Sequence, residues 1–298
     1  MGRRPRNKRP DSGVSGCVVI DKPTGCTSHD VVDQVRRALG TRKVGHAGTL
    51  DPDATGVLVL GVGLGTKLLQ FVTGTDKSYV GEIVFGTETS TLDAAGEITA
   101  THEMAVTPEA VVDAAATFVG DIEQIPPMVS AVKVDGKRLH ELAREGIEVE
   151  RKPRPVTINR FDVSPTDDPL VYVAEVDCSS GTYIRTLAAD LGHSLGGGAH
   201  LRNLRRTAVG PFTLEMASTV EALADDPSGT LGPVGELLRG MPMLQVDAEM
   251  AKKVAHGQQL GPAGGSGLLA VANENGEVLA VYEARDGNLC AAKVLTGS

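Results

Sequence analysis

Two carboxylates flank a proline in Asp51-Pro52-Asp53, and an acid pair is a constellation able to do chemistry. Two acids on either side of a glycosidic bond can serve as general acid and nucleophile, whereas acids at i and i+2 around a proline also simply form a turn. Spacing leaves both readings open, with the turn the heavier. The glycine-rich segment Gly61-Val62-Gly63-Leu64-Gly65-Thr66-Lys67 suits neither nucleotide-binding loop. Thr66 stands where the dinucleotide fingerprint needs its last glycine, and again where the P-loop needs the glycine before its lysine. A tight turn after a buried strand accounts for it. No Gly-x-Ser-x-Gly elbow supports a nucleophilic serine. Cys17, Cys26, Cys178 and Cys290 form no Cys-x-x-Cys pair, and no histidine falls at zinc-type spacing beside them. Neither a disulfide framework nor a metal is expected, and the cysteines read as small buried hydrophobes.

Any such residue must be held by rigid elements. Residues 16–21 read as a strand stopped by Lys22-Pro23-Thr24-Gly25. A helix is expected from an N-cap at Ser28 to a stop at Gly40, burying Val31, Val32, Val35 and Leu39 and exposing Arg36 and Arg37. Residues 43–56 are turn-rich and lead into a buried strand over 57–60, so Asp51 lies on a loop held by a strand. A strand over 79–85, an amphipathic helix over 108–119 and a strand over 171–177 follow. The next helix opens near Tyr183 and stops at Gly192. Arg185 then falls in its first turn, where a cation opposes the helix dipole, which points to a specific anionic partner.

The pattern predicts an α/β fold of the α+β type, with a mixed, largely antiparallel sheet and flanking helices over residues 13–240. Residues 125–152 read as a protruding arm, with a hairpin turn at Asp135-Gly136 and a short helix over 138–145. From 241 to 298 a short helix and strands joined at Asn275-Gly276 and Asp286-Gly287 predict a small β-rich domain. Residues 1–12 form a basic tail that precedes no apolar segment, and the longest apolar run falls short of a membrane span. A cytoplasmic protein is expected.

The formal charge of −9 at first opposes a nucleic-acid partner. Its distribution weakens the objection, because Pro211 onward carries 5 Lys and Arg against 11 Asp and Glu. That leaves a net of only −3 for the first 210 residues, among which Arg202, Arg205 and Arg206 form an acid-free basic patch. An ordinary solvated helix face is the competing reading of that patch.

The wording of several separated segments resembles the tRNA pseudouridine synthase B family. Gly45-His46-Ala47-Gly48-Thr49-Leu50-Asp51-Pro52-Asp53-Ala54-Thr55-Gly56 matches its catalytic signature nearly end to end. Asp21-Lys22-Pro23-Thr24-Gly25, Asp76-Lys77-Ser78-Tyr79 and Gly181-Thr182-Tyr183-Ile184-Arg185 look like its lysine-proline, tyrosine and arginine motifs. Gly120-Asp121-Ile122-Glu123-Gln124-Ile125-Pro126-Pro127 and Leu204-Arg205-Arg206-Thr207-Ala208-Val209-Gly210 extend the likeness over about residues 13–215.

The resemblance implies an isomerase that converts uridine 55 in the T loop of tRNA to pseudouridine without cofactor, metal or guide RNA, acting as a monomer. Asp51 is then the nucleophile, Arg185 the guanidinium that keeps it ionised, and Tyr79 the ring that faces the flipped uracil and helps remove the proton on carbon 5. His46 fills the vacated stack, Lys22 braces the loop, and Leu204 and Tyr183 bound the uracil pocket. Arg202, Arg205, Arg206 and the arm, Lys133 included, are expected on phosphates. Two departures qualify the match: Ser180 stands where relatives commonly carry Lys, and the C-terminal domain is more acidic than the PUA-like RNA-binding domain expected there. Three other readings compete: a guide-dependent relative like dyskerin, a non-catalytic RNA-binding module or tRNA chaperone, and a glycosidase using Asp51 and Asp53.

Overall fold

The computed structural model describes residues 12–130, 133–134, 136–139, 142, 145–147 and 149–295. Runs rich in β-branched residues favour strands, and the first sheets follow those runs. In chain order the strands are β1 (Gly16–Lys22), β2 (Val44–His46), β3 (Thr55–Val62), β4 (Lys77–Phe85), β5 (Thr87–Thr89) and β6 (Ile98–Thr101). They continue with β7 (Gly120–Gln124), β8 (Lys133–Val134), β9 (Lys137–Arg138), β10 (Arg154–Pro165), β11 (Val171–Cys178), β12 (Ala199–Val209) and β13 (Phe212–Thr213). The main sheet runs β1-β3-β12-β4-β11-β10-β7, with β2 beside β3 and β13 beside β12. Its ladders are antiparallel except β3 with β12, which is parallel.

Val57, Leu58, Val59 and Leu60 in the middle of β3 are all fully buried. A strand covered on both faces reads as a continuous apolar run rather than an alternating one. One edge of β3 carries β1 along its whole length. The other edge is shared, with β2 pairing at Leu60 to Val62 and β12 at Thr55 and Gly56. The chain between β2 and β3, which includes Asp51, therefore emerges between two strands that grip the same neighbour.

Among the described residues, the α-helices that position the site and pack the sheets are α1 (Ser28–Ala38), α2 (Leu69–Thr73), α3 (Pro108–Ala116), α4 (Ile184–Ser194), α5 (Val220–Asp225) and α6 (Ala248–Ala255). Val31, Val32 and Val35 of α1 bury against Val18, Ile20, Leu58 and Leu60, at roughly 1.5–3 kcal/mol for each fully buried side chain. Its N-cap is Thr27, not the expected Ser28. Thr27 and Asp30 form a reciprocal capping box that satisfies the free backbone donors, which leaves the Ser28 hydroxyl for another partner. Over β4, β10 and β11, Leu187, Ala188 and Leu191 of α4 and Val111 and Ala115 of α3 share a core with Ile83, Phe85, Ile158 and Tyr172.

The expected basic patch over 200–210 is a strand, β12, and not a helix face. In the arm, β8 and β9 pair about Gly136, whose φ is +86°. Asp135 and much of the expected 138–145 helix lie outside the described residues, as does the Lys133 side chain. Beyond Pro242 a second sheet has the order β14 (Met243–Val246), β16 (Leu268–Asn273), β17 (Val278–Arg285), β18 (Asn288–Val294), β15 (Leu260–Pro262). Ala270 and Val281 of this sheet, with Leu295, join Val57, Val59, Leu68 and Phe212 in one buried cluster that links the two sheets. No helix among the described residues is long and apolar enough to cross a membrane.

Candidate active site

Asp51 is fixed by the backbone on either side of it. The Leu50 amide donates to the Ser28 hydroxyl at 2.9 Å, and that hydroxyl lies 3.1 Å from the Leu50 carbonyl, which can accept from it. On the other side the Pro52 carbonyl accepts from the Gly25 amide and from the Lys22 ammonium, both at 3.0 Å. Lys22 is fully buried and its Nζ also donates to Pro23 O at 2.9 Å and Cys26 O at 2.7 Å. Three carbonyls match three N–H groups, which is how a buried ammonium is tolerated. Burial nevertheless pushes its pKa down, opposed by Cys26, Asp53 and Asp51.

Arg185, at the second position of α4, comes from the opposite side. Its Nη2 lies 3.2 Å from Asp51 Oδ2 and donates to Val129 O at 2.9 Å. Its Nη1 meets Asp93 Oδ2 and Thr91 O, each at 3.0 Å. Two carboxylates and two carbonyls answer the cation that the helix dipole disfavours. The helix start lacks a side-chain cap of its own. Instead the buried Gln124 accepts from the Tyr183 amide at 2.9 Å and donates to the Tyr183 carbonyl at 3.3 Å, locking the turn that aims Arg185.

Asp51 faces a cavity of about 810 Å³, with 43% of its side chain open to it. Enclosure pushes the carboxyl up from its ordinary value; Arg185 and Lys22 pull it down, and Asp93 and Asp53 push it further up. The net direction is upward. Arg185 divides its charge between Asp51 and Asp93, so the pair does not outweigh the loss of bulk water. The sequence reading emphasised Arg185 lowering this pKa; the second carboxylate explains why that effect is only partial.

Tyr79 lines the same cavity, 8% exposed, and burial raises its phenol. Leu204 reaches the cavity through a bulge in β12 between Arg202 and Arg205, where Asn203 takes a left-handed φ of +54°. Tyr183 and Ser180 complete one wall. His46 ends β2 outside this lining, with its ring 5.5 Å from His29 at 84°. Burial, then the neighbouring His29, lowers its pKa.

The basic patch is divided among different tasks. Arg206 is 1% exposed and bonds Val57 O and Gly48 O, so it is no surface phosphate contact, contrary to the sequence expectation. Its position on a central strand, turned inward, accounts for the difference. Arg205 pairs with Asp21 at 2.6 Å and Arg202 with Glu82 at 2.5 Å. Asp93, Ser28 and Gln124 are the positioning residues that sequence reasoning missed. Gln124 stood inside the Gly120 to Pro127 motif and Ser28 was read only as a helix cap, while Asp93 left no trace.

Comparison with known proteins shows the family. The model of the TruB family pseudouridylate synthase N-terminal domain matches residues 36–184. Those of the tRNA pseudouridylate synthase B C-terminal domain and of tRNA pseudouridine synthase II, C terminal, match 185–239 and 241–296. These matches define a pseudouridine synthase acting on tRNA. A tRNA pseudouridine synthase B of Rhodococcus jostii is 49% identical over 93% of each chain, and one of Thermobifida fusca 47% identical over 96% of this chain and all of the relative. The chain belongs to the TruB family. Among solved structures, a Cbf5-Nop10-Gar1 complex aligns with a TM-score of 0.74 and 26% identity, covering 94% of this chain and 85% of that one. An H/ACA RNP bound to a substrate RNA shares the fold at a TM-score of 0.73 and 23% identity.

Proposed function

We propose that this enzyme isomerises uridine 55 in the T loop of tRNA, using Asp51 as its nucleophile and needing neither cofactor nor guide RNA. The observation that carries the reading is the Asp51–Arg185 pair, 3.2 Å apart at the wall of a cavity that also holds Tyr79. Ionised Asp51 attacks the flipped nucleoside, at the ribose carbon or at carbon 6 of the base, and the glycosidic bond to nitrogen breaks. The base turns and rejoins ribose through carbon 5. Arg185 opposes the upward pull of enclosure on Asp51, and Asp93 and Thr91 fix the guanidinium for that purpose.

Tyr79 stacks on the flipped base and receives the proton lost from carbon 5. His46, whose lowered pKa keeps its ring neutral, fills the space the base leaves in the RNA stack. Leu204 and Tyr183 bound the base, and Lys22 keeps the loop under Asp51 in place. Arg202 and Arg205, with Lys133 of the arm, hold backbone phosphates, and the PUA-like domain over 241–298 adds tRNA contacts. The enzyme works as a monomer in the cytoplasm, over a catalytic domain of residues 13–240. Incubation with an unmodified tRNA transcript, without cofactor or guide, is expected to give pseudouridine at position 55. No product, or product only with an added guide, contradicts the reading.

A further inference from the structure

Arg206 has the charge of a phosphate contact without the exposure. Its Nε donates to Val57 O at 2.8 Å and its Nη2 to Gly48 O at 3.2 Å, tying it to β3 and to the turn three residues before Asp51. The ladder sets Arg206 directly beside Tyr79, where its positive charge favours the ionised phenol. Both side chains line the cavity that Asp51 faces. A buried cation is costly unless its donors are matched, and beside the two carbonyls its neighbour is a phenol with a task of its own.

We propose that Arg206 is a positioning residue that makes Tyr79 competent to take the carbon-5 proton, an inference that rests on the role given to Tyr79 above. The guanidinium donates to the phenolic oxygen and stabilises it as the phenolic proton passes to water. The phenolate then accepts the proton on carbon 5 of the rejoined base. The C5–H electron pair becomes the C5–C6 double bond, the displaced pair moves to nitrogen 1, and nitrogen 1 takes a proton from water. Charge and atoms balance with water alone as co-reactant.

The electrostatics point the same way: burial raises the Tyr79 phenol, and Arg206 is the first influence opposing it. The other groups facing Tyr79 are Cys178, whose thiol burial pushes up to about 11, and Asp51. Lys77 stands nearer Arg206, and burial followed by Arg206 lowers it to about 8. Its titration is common to any two substrates, so a ratio of substrate rates removes it.

The test uses single-turnover rates on tRNA carrying uridine or 5-fluorouridine at the target, from pH 6.5 to 9. Fluorine cannot leave carbon 5 as a cation, so the fluorinated base rejoins with no proton there to lose. Arg206→Met is expected to slow uridine conversion about 100-fold at pH 7.5. Conversion of the fluorinated substrate is expected to stay at the wild-type rate. Equal slowing of both substrates overturns the proposal. If circular dichroism shows Arg206→Met unfolded, Arg206→Lys decides by the same ratio: selective loss on uridine supports the proposal and its absence overturns it. Tyr79→Phe separates the two levels, because normal uridine conversion in that variant defeats the reading of Tyr79 itself.

Discussion

Asp51, the proposed nucleophile, is held between opposing influences that its neighbours exert on one carboxyl. Enclosure and Asp93 push its pKa up, and Arg185 pulls it down. The proposed attack needs the ionised form, so the rate is expected to fall with decreasing pH through a value above the ordinary carboxylate range of about 4. Asp93→Asn removes one upward influence and is expected to move this acid limb to lower pH while slowing turnover, since Arg185 loses a partner. Arg185→Lys, with one point contact in place of a fork, is expected to move it to higher pH and to slow turnover severely. Single-turnover rates between pH 4 and 8 check both shifts. Asp51 and Arg185 were readable because motifs mark them. Asp93 was not: it meets Arg185 across 92 residues of chain, and no local spacing records such a meeting.

The loop between β2 and β3 works because two elements clamp it. Ser28 at the start of α1 engages both backbone groups of Leu50, and Lys22 at the end of β1 engages Pro52. Ser28→Ala leaves the buried Leu50 amide unmatched, with an expected loss of about 1–3 kcal/mol in urea unfolding. Turnover is expected to suffer more than tRNA affinity. Gly56 is the other tight point: its φ is +106°, and a Cβ there would lie 2.1 Å from the Arg206 carbonyl. Gly56→Ala is expected to cost at least about 2 kcal/mol, measured the same way, and to disturb the parallel pairing of β3 with β12. The helix α1 was foreseen almost whole from its valine spacing, although two adjacent hydroxyl residues left the capping residue ambiguous. β12 was harder to read, because a left-handed Asn203 and the inward Arg206 break the alternation that marks a strand.

The two sheets depend on each other through the cluster that joins Ala270, Val281 and Leu295 to Leu237, Leu238 and Val59. Truncation after Gly240 strips one side of that cluster and uncovers Leu237 and Leu238. The melting temperature is expected to drop by roughly 10 °C, at 1.5–3 kcal/mol per leucine. Weakened tRNA binding by the truncated protein therefore has to be separated from lost stability. The C-terminal strands were readable because Asn275-Gly276 and Asp286-Gly287 supply positive φ at Gly276, Asp286 and Gly287. How the basic residues are used was not readable from charge counts. Arg202 and Arg205 each face an acid and Arg206 is interior, so tRNA affinity is expected to fall with salt less steeply than the number of arginines suggests.

Asp51→Asn in a single-turnover reaction with unmodified tRNA probes the nucleophile most directly, with tRNA binding and melting temperature measured alongside. Because the fold raises the Asp51 pKa, its ionised form destabilises the protein above the unfolded value, so the amide is expected to melt no lower than wild type at pH 7. A folded, tRNA-binding variant that forms no pseudouridine is the expected result. Pseudouridine formed at the wild-type rate by that variant contradicts the assignment of Asp51 as the nucleophile.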